Sequence, residues 1–551
     1  MAEQVAARIA AEEAELAAAG KPAGGNGNGN GHGPQLDYRF LKQCLDANEL
    51  GDGVLYASLH KNKVIFNASS QSWMRWNGRH WEHDVELHSL SMAESCALKY
   101  LDMLDAIAAK LKHHAGDTDR ERRLKKVMQK VLKRASRLRS DRGRHNCLKL
   151  AATCPSDPMV TLEDAFDLNP FLLPCKNAVI DLRTGDAVAA RPEDMLLMAA
   201  PTEWRGIDCP APVWDRFLNE VFEGDEEMIA FIQRLLGYAI SGSVKNHILP
   251  IFVGSGRNGK GTIFETMHMV MGDLCQPIQA EMLLDNGMNR SAAAPSADIM
   301  GLKGLRMAYA SENDPNRRFS LARAKWFSGG DTLRGRRPND KHEITFAPTH
   351  KLFLGTNDIP SAIADDFAFW QRVKVVRFNL SFVDAEPAAP NQRRADNDLP
   401  DKLRAESSGI LAWLVRGCLG WQRIGLATPP AVSTATEQQR VGDDIYQDWI
   451  DECLVLDKHA QTVSSKLYWN FVFWFEQMVG KKRTPSQKAW GQVMAKRFKR
   501  EKHGNWIYYG IDVAPLVTCP SCGAENLPSA PRCFNPKCLK PIEDDGLFGR
   551  E

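Results

Sequence analysis

Between Leu249 and Thr262 the chain reads Leu-Pro-Ile-Phe-Val-Gly-Ser-Gly-Arg-Asn-Gly-Lys-Gly-Thr, a short apolar run that passes directly into a glycine-rich turn. Backbone N–H groups can converge on an anion only where side chains do not obstruct them, and a helix that follows adds the positive end of its dipole. The stretch therefore predicts a strand, a phosphate-binding loop and a helix, with Gly254, Gly256, Asn258, Gly259, Lys260, Gly261 and Thr262 around the phosphates and Lys260 reaching the β and γ groups. One position departs from the usual pattern. The residue directly after the lysine, where a hydroxyl commonly ligates magnesium, is Gly261, and Thr262 follows one place later, so Thr262 is expected to hold magnesium indirectly or to hold a phosphate.

A chain of 551 residues with 44% hydrophobic content is too long for one core and implies roughly three or four globular units. Its formal charge of +2 leaves room for a basic surface on one unit and acidic surfaces on others. The N-terminus is an Ala/Glu stretch followed by a Gly/Asn run from 24 to 33, which reads as a tail of 35 residues. It has no cationic start or apolar core, and no run of about 18 apolar residues occurs anywhere, so secretion and membrane insertion are not expected. Nine of the thirteen cysteines stand singly, which suits a reducing cytoplasm.

Trp73, Trp76 and Trp81 around Asn77-Gly78 predict a hairpin with packed tryptophans. From Lys110 to Lys149 fifteen Lys/Arg face four acids, while Leu124, Val127, Met128, Val131, Leu132 and Leu138 fall on one helical face. Such a basic amphipathic helix is either a packed helix with a solvated cationic face or a contact surface for a phosphate backbone. A helix is expected through Trp214 to Tyr238.

From 249 to 380, apolar runs at Leu249–Val253, Leu305–Ala310, Lys351–Gly355 and Val373–Phe378 alternate with helical or loop stretches, the order of an α/β sheet with its ligands at the strand C-termini. The second run ends at Ser311-Glu312-Asn313-Asp314. Hydrolysis of a γ-phosphate needs a carboxylate to polarise water and to hold hydrated magnesium, for which Glu312 is the first candidate and Asp314 the second. The third run ends at Asn357, a neutral side chain able to sense a γ-phosphate or position water. Arg372, just before the fourth, is placed to complete a neighbouring subunit's site.

This ordered series, together with Ala324-Lys325 through Gly329-Gly330-Asp331 to Arg336 and Phe346 to Thr349, resembles the phage and plasmid primase-helicases, whose helicase half is similar to the poxvirus primase-helicase and belongs to superfamily III. The resemblance covers most of residues 70 to 430. It implies a hexameric ring that hydrolyses ATP with magnesium and translocates on single-stranded DNA, with Lys260, Glu312, Asn357 and Arg372 in the phosphate-loop, acidic, sensor and finger positions. It also implies a channel hairpin at Leu333 to Phe346, with Arg336, Lys341 and His342 as DNA contacts. Gly261 stands where many members have serine and Gln371 where a second arginine is common. No paired-carboxylate site for nucleotide polymerisation is found, so priming by this chain alone is not expected.

Residues 468 to 511 combine two helices carrying aromatic stripes, basic residues and a terminal strand, which suits a winged helix. Cys519-Pro-Ser-Cys522 and Cys533-x4-Cys538 give two thiolate pairs about ten residues apart, a spacing for one structural, tetrahedral zinc. The resulting fold class is α/β: a tail (1–35), a mostly helical accessory region (36–240), a P-loop, AAA+-like ATPase domain (241–430), a winged-helix-like module (431–512) and a zinc ribbon (513–551). The function expected is a cytoplasmic helicase of phage or plasmid replication in a bacterial host cell, acting on single-stranded and forked DNA as a homo-hexamer, with a separate primase or polymerase as partner. The alternative is an initiator or loader that binds origin DNA or a primase partner without sustained unwinding.

Overall fold

The computed structural model describes residues 36–155, 157–285, 296–312, 318–336, 343–362, 366–442, 444–478, 484–515, 517–523, 525–526 and 538. It divides into two compact units. The first holds the chain up to 75 and from 83 to 163; the second holds 76–82 and everything from 164 on, so that 164–240 belongs with the sheet that follows it.

In the first unit the helices Ala93–His113, Thr118–Leu138 and Asp141–Ala152 pack with Asn48–His60 around a core that includes Tyr56, Tyr100 and Ile107. Their starts are set locally: Asp117 accepts from Arg120 N and Ser140 from Gly143 N, each satisfying a free N–H of the first turn. The strand Val64–Asn67 runs antiparallel to Ser72–Trp76 and parallel to Val160–Thr161. The basic helix is real, but its buried face is centred on Val131, Ala135 and Leu138. Leu132, expected on that face, is 38% exposed. It lies about 100° round from Val131, and the opposite flank is taken by Arg134, which Asp52 and Asn48 pair in the interior.

The tryptophan hairpin forms as expected. Asn77 Oδ1 accepts from Arg79 N and His80 N, Gly78 adopts φ 96°, and Trp76 and Trp81 pack at 5.7 Å with Trp81 buried.

The second unit is built on five parallel strands in the order Val373–Arg377, Leu249–Val253, Lys351–Thr356, Met307–Glu312, Cys275–Pro277. Alternate residues serve two cores: Phe252, Tyr309, Phe353 and Val376 on one face, Ile251, Ala308, Leu354 and Val375 on the other. A sheet buried on both faces explains why these strands read as continuous apolar runs. The helix expected through Trp214 to Tyr238 is two helices, Pro212–Val221 and Glu226–Ile240. Glu223 and Gly224 break it with φ of 53° and 78°, and Asp225 caps the second on Met228 N. Helix Glu226–Ile240 lies against Ser407–Ile424, where Gly237 admits close contact: a Cβ there would sit 2.2 Å from Cys418 N.

The C-terminal part runs helix Ile445–Cys453, strand Leu454–Val463, helices Ser464–Met478 and Gln487–Arg497, and strands Arg500–His503 and Asn505–Val513. The last strand is the middle of an antiparallel three-stranded sheet, over a core of Trp449, Phe471, Trp490 and Tyr508.

Candidate functional site

The register of the central sheet puts Val253, Thr356 and Glu312 level with one another at the C-terminal ends of three neighbouring strands. The turn after Val253 therefore emerges beside the end of the strand that leads to Asn357. Thr356 O receives Gly254 N at 3.2 Å, and Gly256 N turns back on Gly254 O at 2.9 Å. Gly254 is required by its surroundings, since a Cβ would lie 2.3 Å from Asn258 Nδ2 and 2.4 Å from Phe378 O. Gly256 and Gly259 have φ of 82° and 91°, a region that side chains disfavour. The helix Lys260–Met271 starts directly behind the turn.

Lys260 is 8% exposed, its Nζ donates to Gly254 O, and burial pulls its ammonium down to about 8. Asn258, 3% exposed, carries a buried Nδ2 with no partner among the described residues. A buried donor without an acceptor is uncommon in a folded protein and suits an anionic ligand.

This turn forms one side of a cavity of about 830 Å³ that also takes in Thr262 and Asn357. Its apolar wall is Val213, Phe217, Phe382 and Leu399. Its charged lining is Arg216, Arg257, Lys260, Arg394 and Lys402 against Glu220, Asp384 and Asp396, an excess of cations. Arg257 pairs with Asp384 at 2.8 Å and Lys402 with Asp396 at 2.6 Å. An apolar slot next to a cationic, glycine-rich turn is a shape that can take a flat ring with a polyanionic tail. The wall from Phe382 to Lys402 was not anticipated from the sequence, although the isolated Phe382 and the basic pair Arg393-Arg394 after a Pro-rich stretch were visible in it.

Other expected residues are placed less centrally. Glu312 ends its strand level with Thr356, while Asp314, Lys341, His342 and Cys533 lie outside the described residues. Arg372 is not in the cavity: it precedes the strand Val373–Arg377, whose far end is level with Val253, so the strand's length of roughly 15 Å separates it from the turn. The base of the expected hairpin is present as Leu333–Gly335 against Ile344–Phe346; Arg336 N donates to Ser296 Oγ at 2.8 Å and Ser296 N donates to Arg336 O at 2.9 Å. Cys519, Cys522 and Cys538 gather with their Sγ atoms within 4.8 Å of one another. The Cys519–Cys538 separation of 3.8 Å is too long for a disulfide. It matches the S–S edge of about 3.8 Å that tetrahedral zinc bonds of about 2.3 Å require, so these donors fit zinc.

Comparison with known proteins finds similarity over parts of the chain. Residues 54–223 match the "D5 N terminal like" family. A mimivirus protein named "Putative helicase" is 27% identical over 360 residues, covering 63% of this chain and 37% of that protein. An African swine fever virus protein named "Putative primase" is 20% identical over 464 residues, covering 78% and 47%. The chain is thus similar to viral proteins named as helicases and primases. It spans less than half the length of these two relatives. The apo C-terminal region (305–718) of NrS-1 shares 11% identity and a TM-score of 0.40, covering 83% of this chain and 98% of that one, a likeness too slight to bear on the fold. Among the described residues no helix is long and apolar enough to cross a membrane.

Proposed function

We propose that this primase-helicase-like chain is an ATP-dependent DNA helicase that hydrolyses ATP in a ring and moves along single-stranded DNA. The observation that carries the reading is the cavity itself: Lys260, the buried unpartnered Asn258 and Asn357 meet at the C-terminal ends of parallel strands, next to an apolar slot of base size. In this reading the N–H groups of 256–261 and Lys260 bind the β and γ phosphates, and Phe217 and Phe382 enclose the base. Glu312 takes the proton of the attacking water, and Asn357 orients that water or the γ-phosphate. Magnesium, when bound, neutralises developing phosphate charge, with Thr262 and Glu312 as the residues that would hold it, directly or through water. Arg372, turned away from its own cavity, serves a neighbour's.

The helix–strand–helix–helix–strand–strand order of 445–513 supports a winged helix, and the cluster of Cys519, Cys522 and Cys538 supports a structural zinc ribbon, for which the sequence offers Cys533 as a fourth thiolate. The test is strand displacement on forked DNA by the full chain, with Lys260→Ala beside it. Unwinding that is present in the parent and absent in the variant supports the motor. DNA binding and ATP hydrolysis by an assembled ring without unwinding would replace it with the loader reading.

A further inference from the structure

The first unit contains a second large cavity, about 1010 Å³. Its aromatic wall is a cross-strand pair: Phe66 stands directly opposite Trp73, with ring centroids 5.6 Å apart and both side chains half-buried. Trp73 is braced from behind by Tyr56, edge-on at 6.2 Å. At the mouth, Val85, Leu87 and Val160 remain 84%, 60% and 41% exposed, an apolar rim that a folded chain ordinarily covers.

The opposite wall is the last helix of the basic segment, Asp141–Ala152, which contributes His145, Leu148 and Lys149. Arg142, His145 and Lys149 recur at i, i+3 and i+7 and so share one face along roughly 10 Å of helix. Much of the charge in this segment is already used inside the unit. Lys130, Arg134, Arg137, Arg139 and Arg144 pair with Asp46, Asp52, Glu49 and Glu94. Arg142 and Lys149 are exposed and form no ion pair among the described residues. The acid in the cavity, Asp84, is committed elsewhere, accepting His88 N at 2.8 Å and Ser89 N at 2.7 Å.

We propose that the first unit is a separate binding site for single-stranded DNA, with bases in the cavity against Phe66 and Trp73 and the phosphate backbone along Arg142 and Lys149. Exposed aromatic faces and uncompensated cations side by side are the chemistry of sequence-tolerant single-strand binding. An apolar peptide would cover the rim but has no use for the cationic row. The mostly apolar wall offers little to bond a 2′-hydroxyl, which assigns the site to DNA.

The site does not depend on the motor reading and is tested with the full chain carrying Lys260→Ala, so that hydrolysis contributes nothing. Oligo(dT) containing 5-iodouracil is cross-linked by light and the attached residues are identified; Phe66 or Trp73 is the expected position. Arg142→Glu with Lys149→Glu, both on the surface, should lower the slope of log affinity against log salt by about 1.4, two phosphates at about 0.7 each. Trp73→Ala should weaken binding about 5- to 160-fold; Trp73→Phe, which keeps a stacking face and the packing on Tyr56, should recover most of it. Cross-links confined to residues beyond 163, an unchanged salt slope, or a preference for oligo(rU) would overturn the proposal. Failure of strand displacement by the parent chain, with these cross-links intact, would count against the motor and leave this site standing.

Discussion

Lys260 gives the sharpest handle on the proposed nucleotide site, because its burial sets the sign of a pH effect and its approximate size. Burial lowers its ammonium from 10.5 to about 8. A polyphosphate binds the charged form, and its negative charge raises the pKa of the complex. In the free protein the charged fraction falls from about nine tenths at pH 7 to about one tenth at pH 9, so the affinity for ATP should weaken about tenfold across those two pH units. Binding should take up close to half a proton at pH 8, read as a difference in calorimetric heat between two buffers of unlike ionisation enthalpy. Lys260→Arg keeps its charge throughout this range and should flatten the profile. The same shift has a consequence for folding without nucleotide. Between pH 8 and 10.5 the unfolded chain binds the proton and the folded chain does not, so this group's contribution to stability increases with pH through that window. A parent affinity that is level from pH 7 to 9, with no proton uptake at pH 8, would refute the coupling of phosphate binding to a lowered Lys260 ammonium.

Gly261→Ser should fold normally, since a Cβ there meets nothing within 4 Å, and should gain roughly 0.5 kcal/mol of helix propensity. If the position faces magnesium, the new hydroxyl lowers the magnesium concentration that half-saturates hydrolysis; a raised requirement would contradict that geometry. Gly254→Ala, which drives a Cβ into Asn258 and Phe378, should cost about 1–3 kcal/mol in thermal unfolding and weaken ATP binding, and a neutral result would show that the turn opens without penalty. Asp52→Ala leaves the buried Arg134 guanidinium uncompensated and should destabilise the first unit by about 3 kcal/mol in denaturant melts; a loss below about 1 kcal/mol would mean that Asn48 alone satisfies it. Metal analysis of the purified chain should find about one zinc, lost in Cys519→Ser; equal zinc in both proteins would refute the thiolate site.

What the sequence disclosed about the sheet follows from burial. Leu249–Val253, Met307–Glu312, Lys351–Thr356 and Val373–Arg377 are covered on both faces, so each had to be an apolar run, and each was found within two residues. The edge strand Cys275–Pro277 has no such pattern. It is short, ends in proline and is held by Met307–Tyr309, a partner thirty residues away that local composition does not specify. The cavity was half legible for a similar reason. The glycine turn announces itself because its backbone does the work, whereas the facing wall is contributed by scattered side chains, Phe217 before the turn and Phe382 to Lys402 after it. The strands Ser381–Val383 and Gln392–Arg394 that hold the second part are three residues each, too short for a periodic signal. Leu132 failed for the opposite reason: its period was right, but a paired Arg134 claimed the interior.

Arg372 brings these levels together. Leu249 N bonds to its carbonyl at 2.8 Å, at the end of the sheet remote from the turn, and its Nη1 donates to Ala368 O. No rotation of one side chain crosses the roughly 15 Å of strand between that place and Lys260, so a role for Arg372 in its own cavity is excluded by the register. Within the cavity, Arg257 and Lys402 are committed to Asp384 and Asp396, and Arg394 to Glu386 at 3.1 Å. One chain thus supplies Lys260 as the cation held close among the phosphate-turn residues. If hydrolysis needs a second positive charge on the transferred phosphate, the candidates are Arg216, the cavity cation with no ion pair among the described residues, and a residue of another chain. The two sources separate in a mixing experiment. Arg372→Ala combined with Lys260→Ala should recover part of the hydrolysis that each lacks alone if Arg372 acts in trans, because mixed rings contain interfaces with one intact lysine and one intact arginine. A full-rate Arg372→Ala protein together with an inactive Arg216→Ala protein would instead assign the charge to the cavity's own helix.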